Sequence, residues 1–98
     1  MQFLVTAKDG DDAEAPARRL AAREQHLVGA RRYAEEGVII AGGAVLDDEG
    51  RMIGSSVLYE VPDRATLDAI IAADPYVTGG VWQLIDIRPF RLAVRSKG

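Results

Sequence analysis

The 98-residue sequence contains no cysteine and only one histidine. Without cysteine the chain cannot form disulfides, use a thiolate nucleophile or offer thiolate ligands to a metal. One histidine among scattered carboxylates forms no recognisable metal cluster. The glycine-rich segments at residues 41–43 and 79–80 are not followed by a helix whose N-terminus could hold a phosphate. We therefore expect neither a metal nor another cofactor.

The sequence also lacks any apolar run approaching the roughly 18 residues needed to span a bilayer. Residues 1–8 are too short a segment, and have no basic region, for a signal peptide. A formal net charge of −3 removes the long-range attraction to phosphate that drives nucleic-acid binding. We expect a cytoplasmic protein that binds neither membranes nor nucleic acid.

The overall composition is typical of a globular protein. Apolar residues make up 48% and charged residues 28% of the chain, far from the composition of disordered chains. A chain of this length is close to the usual size of one domain. We predict a single domain over residues 1–98, in which residues 91–98 form a flexible tail.

Hydrophobic periodicity and turn residues predict four strands and two helices. The strands are expected at residues 3–7, 38–46, 52–61 and about 81–92. The helices are expected between Pro16 and Gly37 and from Asp63 to Ala73 or Asp74. The resulting order is βαββαβ, which predicts a ferredoxin-like α+β fold with two helices on one face of a four-stranded antiparallel sheet.

On the first helix, apolar residues recur near the 3.6-residue period and predict the face that covers the core. They are Ala17, Leu20, Ala21, Leu27, Val28 and Ala34.

The predicted strands do not alternate cleanly between apolar and polar residues. In the last strand Ile85 and Ile87 point one way, and Trp82, Leu84 and Phe90 point the other way. This pattern predicts that both faces of the sheet are buried. A second copy of the same sheet is the simplest way to cover the face without helices. This predicts a homodimer; the alternative is a patchy second face that remains in water.

His26 is the residue most suited to proton transfer, because an unperturbed imidazole titrates near neutral pH. It shares a stripe of the first helix with Arg19, Arg23, Ala30 and Tyr33, beside the predicted apolar face. Such a boundary can form the wall of a cleft. The alternative is a half-exposed surface histidine without a role.

Asp74 is the second candidate, since a carboxylate at a helix C-terminus meets the negative end of the helix dipole. It could orient an imidazole or act as a second acid–base group; the alternative is that Asp74-Pro75 simply starts a turn. Small residues at 54–56 could bring backbone groups or a hydroxyl close to a ligand, or could equally mark a tight contact between sheets.

Four segments, in this order, resemble the YciI-like family over nearly the whole chain. They are Arg-Glu-Gln-His-Leu at 23–27, Gly-Ser at 54–55, Ala-Asp-Pro-Tyr-Val at 73–77 and Arg-Pro-Phe at 88–90. The resemblance implies a dimeric α+β barrel of ferredoxin-like subunits. It also implies an active site with a histidine and an aspartate, which here fall on His26 and Asp74. A relative of this family is a dehydrochlorinase of a chlorinated hydroxyhydroquinone.

The leading hypothesis is an acid–base enzyme, lyase- or isomerase-like, acting on a small hydroxyaromatic or carbonyl compound. His26 is the acid or base, Asp74 orients it or supplies the complementary proton function, and Arg23, Ser55 and Tyr76 help to bind substrate. Two alternatives remain open: a noncatalytic ligand-binding or interaction module, and a monooxygenase-like barrel that uses no cofactor. The sequence leaves open whether the His–Asp pair forms within one subunit or across the dimer.

Overall fold

The computed structural model describes residues 1–97, which form four strands and three helices. In chain order these are β1 (Gln2–Asp9), α1 (Ala15–Glu35), β2 (Ile39–Leu46), β3 (Met52–Glu60), α2 (Arg64–Ala73), α3 (Pro75–Thr78) and β4 (Trp82–Phe90). The strands form one antiparallel sheet in the order β2-β3-β1-β4. The predicted ferredoxin-like order is confirmed, and α3 is an additional turn of helix that the sequence analysis did not predict.

The ends of several elements follow from their local sequence. The Asp63 side chain accepts a hydrogen bond from the backbone N–H of Thr66 at 2.8 Å and so caps the start of α2. Gly37, just after α1, has φ of 77°, and Gly50, in the loop between β2 and β3, has φ of 83°. Both glycines adopt the left-handed conformation that other residues rarely tolerate.

The hydrophobic core lies between the helices and one face of the sheet, here called the covered face. In the register of the sheet Phe3 is opposite Tyr59 and Val5 is opposite Val57, so these side chains share that face. The helix α2 adds Leu67 and Ile71, both buried. The core therefore spans the central strands and is closed by α2.

The face that α1 turns inward differs from the predicted one. Leu20 is 73% exposed and Val28 is 63% exposed, although both were expected in the core. Of the other four predicted positions, Ala17, Ala21 and Ala34 are exposed and Leu27 is half-buried. The positions that are turned inward still follow the helical period, but they include charged and ring-bearing side chains: Ala15, Arg19, Ala22, His26 and Tyr33.

Trp82 also lies on the other face from the one predicted. Lys8 of β1 pairs with Leu84 of β4, whereas the next residue, Asp9, pairs with Trp82, so the register shifts and Gln83 has no partner. Such a bulge reverses the side-chain alternation beyond it. Trp82 therefore joins the covered face, where it is 5% exposed, while Leu84 remains on the opposite face.

The opposite face of the sheet, here called the open face, has no helix over it. Leu4 and Leu58 are paired at its centre and are half-buried. Toward the edges Val45, Leu84 and Phe90 are 40%, 66% and 40% exposed. The apolar pattern predicted for the second face is present in these five side chains.

Residues 91–97 follow β4 without helix or strand, although the Leu92 backbone N–H donates to the Gln2 side chain at 2.7 Å. The predicted flexible tail includes Gly98, which lies outside the described residues. Within the described part of the chain, no helix is both long and apolar enough to cross a bilayer.

Candidate active site

His26 and Asp74 meet within one chain. The Nδ1 atom of His26 lies 2.8 Å from Oδ1 of Asp74, and the two side chains are 11% and 12% exposed. The same Asp74 oxygen accepts the backbone N–H of Tyr76 at 2.8 Å, which makes Asp74 the N-cap of α3. The predicted conflict with the dipole of α2 is therefore offset, because the carboxylate also serves a helix start.

The imidazole of His26 is held between aromatic rings. Its ring stacks on Tyr76 with a centroid distance of 3.8 Å and an interplanar angle of 13°, and Trp82 meets its edge at 6.0 Å. The Arg19 guanidinium lies 4.7 Å from the centroid of Tyr76. When Nδ1–H donates to the Asp74 carboxylate, Nε2 carries the lone pair and is the nitrogen left for chemistry.

A buried polar network lies next to these rings. Arg19 donates to Asp9 at 2.9 Å, and both side chains are at most 5% exposed. Arg19 also donates to the Ser55 hydroxyl oxygen at 3.0 Å, and the Trp82 indole N–H donates to the same oxygen at 3.1 Å. Sequence reasoning missed this network, although Arg19 was placed on the His26 stripe. The available signal was the acid at the end of β1, which was interpreted only as a turn residue.

A cavity of about 300 Å³ lies between α1 and the strands β2 and β3. His26, Arg23, Ser55 and Tyr76 all line it, so four of the five predicted site residues share one space. Asp74 is not among its lining residues and supports His26 from behind. The small residues of β2 at 41–44 form another part of the wall, and a Cβ atom at Gly42 would come within 3.1 Å of the Val57 side chain.

A second cavity of about 290 Å³ lies on the other side of His26 and contains Asp74, Tyr33 and Tyr59 in its wall. Burial, followed by the nearby Asp74 charge, raises the pKa of the Tyr59 hydroxyl. Burial likewise raises the pKa of Tyr76. Both phenols therefore remain protonated at neutral pH, and neither can serve as a base there.

The chain matches the model of the YCII-related domain over residues 1–91. Protein YciI of Escherichia coli O6:H1 is 29% identical over 97 residues, a match that covers 93% of this chain and 97% of that protein. The two chains are thus similar over nearly their full lengths.

Two solved structures share the fold. The 5-chloro-2-hydroxyhydroquinone dehydrochlorinase TftG of Burkholderia phenoliruptrix AC1100, in complex with 2,5-dihydroxybenzoquinone, superposes with a TM-score of 0.81 and is 20% identical. The comparison covers 95% of this chain and 96% of TftG. A dimeric ferredoxin-like protein from Jannaschia sp. CCS1 gives a TM-score of 0.51 at 12% identity, covering 93% of this chain and 98% of that one.

The residues matched by the family model include β1 through β4 and both members of the His26–Asp74 pair. This chain therefore belongs to the YCII-related domain family.

Proposed function

We propose that this protein is a small-molecule enzyme in which His26 transfers a proton and Asp74 orients the imidazole. The observation that carries the proposal is the 2.8 Å contact between His26 Nδ1 and Asp74 Oδ1, beside a cavity of about 300 Å³ that His26 lines. A base held in one tautomer and one orientation, at the wall of a small cavity, is the arrangement that general acid–base catalysis needs.

In the proposed reaction Nε2 of His26 accepts a proton from the substrate. In an elimination, the electrons of the broken bond form a double bond while the leaving group departs from the neighbouring atom with its bonding pair. In an isomerisation, the imidazolium returns the proton to a different atom. The Asp74 side chain stabilises the imidazolium, and acid–base catalysis of this kind increases the rate by about 10²–10⁴.

The proposed substrate is a small hydroxyaromatic or carbonyl compound that binds against Arg23, Ser55 and Tyr76. Two observations support this class: these residues share the cavity with His26, and TftG, which has the same fold, was solved with 2,5-dihydroxybenzoquinone bound. A cavity of this volume is at the lower end of the range for small-molecule sites, which favours a ligand of about one ring.

We also propose that two copies pair through their open faces. The paired Leu4 and Leu58, flanked by exposed Val45, Leu84 and Phe90, give that face an apolar surface that a second copy would remove from water. The Jannaschia protein of the same fold is described as dimeric.

The catalytic proposal is tested by substituting His26→Gln and assaying a panel of chlorinated hydroquinones and hydroxyquinones. Chloride release and product chromatography measure elimination and isomerisation, and an oxygen electrode detects oxygenation. We expect turnover by the natural sequence and a loss of about 10²–10⁴ in the variant. The matched control is Glu24→Gln, an exposed position two residues away on α1, which should retain full activity.

Equal turnover in the His26→Gln variant would overturn the mechanism. Binding of panel compounds without any product would instead favour a noncatalytic ligand-binding module, and oxygen consumption would favour monooxygenase-like chemistry.

A further inference from the structure

The cavity beside His26 contains a hydroxyl group whose hydrogen has no acceptor among the described residues 1–97. The Ser55 oxygen already accepts two hydrogen bonds, from Arg19 at 3.0 Å and from Trp82 at 3.1 Å. A serine hydroxyl has one hydrogen to donate as well, and among residues 1–97 no acceptor for it is found. Ser55 is 3% exposed and lines the cavity, so its hydrogen has to be satisfied by whatever occupies that space.

A second donor in the same wall is also unsatisfied. The Nε atom of Arg19 is buried and has no hydrogen-bond partner within residues 1–97. The charge of Arg19 is already matched by Asp9, at 2.9 Å. The unsatisfied groups of Ser55 and Arg19 are therefore O–H and N–H donors, and neither residue adds an unpaired buried charge.

Positive charge is supplied by two other arginines that line the cavity, Arg23 and Arg31, both of them exposed. Neither forms an ion pair with another described residue, whereas Arg18, Arg51, Arg64 and Arg88 are each paired with an aspartate. No aspartate or glutamate is among the residues that line the cavity. In a chain with a net charge of −3, this wall is locally cationic.

The rest of the cavity wall contains small residues and aromatic rings, and such rings favour a small, flat ligand that can stack on them. His26 and Tyr76, whose rings are stacked, line the cavity together with the small residues of β2 at 41–44. Ligand sites of this kind are mainly apolar, with a few convergent polar groups that fix orientation.

We infer that the ligand of this cavity is a small planar oxyanion: a carboxylate, phenolate or enolate. Its charged oxygen accepts the Ser55 hydroxyl hydrogen and lies in the field of Arg23 and Arg31. The inference rests on the cavity of the proposed function and deepens it by naming the charge of the substrate. An oxyanion bound in this way is also the species that forms when a base removes a proton next to a carbonyl group.

The test compares benzoate with benzamide, two probes of nearly the same shape that differ in charge. Isothermal titration calorimetry on the full chain should give an affinity for benzoate at least about tenfold higher than for benzamide, equivalent to about 1.4 kcal/mol. Benzoate affinity should fall as salt is raised, because Arg23 and Arg31 are exposed to solvent screening.

The variant Arg23→Gln/Arg31→Gln should lower benzoate affinity by about tenfold or more while leaving benzamide affinity unchanged. Arg64→Gln is the matched control, because Arg64 lies on α2 and pairs with Asp68 outside the cavity. Ser55→Ala is a second variant; it should also weaken benzoate binding, and its folding is checked by circular dichroism. Absence of benzoate binding at millimolar concentration, equal binding of benzamide, or unchanged benzoate affinity in the double arginine variant would overturn the inference.

The outcome is separable from that of the catalytic proposal. The His26→Gln variant should still prefer benzoate over benzamide, even where turnover is lost. If the natural sequence prefers benzoate but shows no turnover, the oxyanion site is supported and the catalytic proposal is contradicted.

Discussion

At the scale of single residues, one oxygen of Asp74 has two tasks. It forms hydrogen bonds with Nδ1 of His26 and with the backbone N–H of Tyr76, each at 2.8 Å. The sequence left a turn role and a chemical role as alternatives, and the structure shows the turn contact and the His26 contact on the same side chain. For a substitution at this position, both the activity and the stability of the variant have to be measured.

We expect Asp74→Asn and Asp74→Ala to differ in a defined way. Asparagine retains an oxygen that can cap α3 but loses the negative charge that stabilises an imidazolium, so turnover should fall with little loss of folding free energy. Alanine removes the cap as well and should cost about 1 kcal/mol of stability in addition. Urea denaturation measures the difference in stability between the two variants, and the turnover assay measures their loss of activity.

The matched control is Asp63→Asn, which makes the same chemical change at the N-cap of α2, away from the imidazole. Its turnover should be unchanged. Full activity in Asp74→Asn would contradict the orienting role.

Several residue-scale features of the site followed from the sequence. His26 and Asp74 were predicted to form a pair, and the two side chains do lie together; their catalytic role stays a prediction. The partners of Arg19 were not identified, because Asp9 and Ser55 are distant in sequence and approach it only once β1 and β3 are paired under α1. The acid at the end of β1 was a local signal, but by itself it does not indicate which residue it contacts.

At the scale of elements, the main error of the sequence analysis concerned α1. Leu20 and Val28 were assigned to the core on hydrophobicity alone. A polar side chain can also be buried when it forms hydrogen bonds or ion pairs inside the protein. Arg19 and His26 find them, in Asp9 and Asp74 respectively. The period of the helix was thus right and its phase was wrong.

The strand β3 approaches β1 closely at Gly54. A Cβ atom built there would lie 2.5 Å from the backbone oxygen of Ala7, closer than real Cβ contacts allow. Because the obstacle is backbone, the strand has to shift, and Gly54→Ala should destabilise the fold by about 1–3 kcal/mol. The shift should also move the adjacent Ser55, so benzoate affinity should decrease.

The control for this prediction is Gly43→Ala on β2, where a Cβ atom meets nothing within 4 Å. Urea denaturation of both variants gives the comparison, and equal stability would show that the close approach does not constrain β3. The close approach at Gly54 is thus to the neighbouring strand of the same sheet and not between sheets, while Ser55 lines the cavity.

Two further elements show where sequence patterns reach their limit. The bulge opposite Asp9 reversed the side on which Trp82 lies, and nothing in the alternation of β4 marks a register shift. The helix α3 is a four-residue turn that depends on its Asp74 cap. The sequence analysis had interpreted Asp74-Pro75 as a possible turn and did not predict a helix there.

At the scale of the whole molecule, pairing through the open face should be sensitive to charge. Leu84 is 66% exposed on that face, so Leu84→Asp would bury a carboxylate in the proposed dimer. We expect this variant to elute as a monomer when the natural sequence elutes as a dimer, measured by size-exclusion chromatography with light scattering. A natural sequence that is monomeric at micromolar concentration would contradict the pairing.

The matched control is Leu20→Asp on the outward face of α1. Leu20 is 73% exposed and therefore similar in accessibility, but it lies on a helix and not on the open face. This variant should retain the oligomeric state of the natural sequence.

The chain contains a single tryptophan, and its position has a practical consequence. Trp82 is buried, contacts the edge of the His26 ring and donates its indole N–H to the Ser55 oxygen. A ligand oxygen that accepts the Ser55 hydrogen changes the electric field at the indole. The intrinsic fluorescence of this protein therefore acts as a built-in optical reporter of what occupies the cavity, without a label.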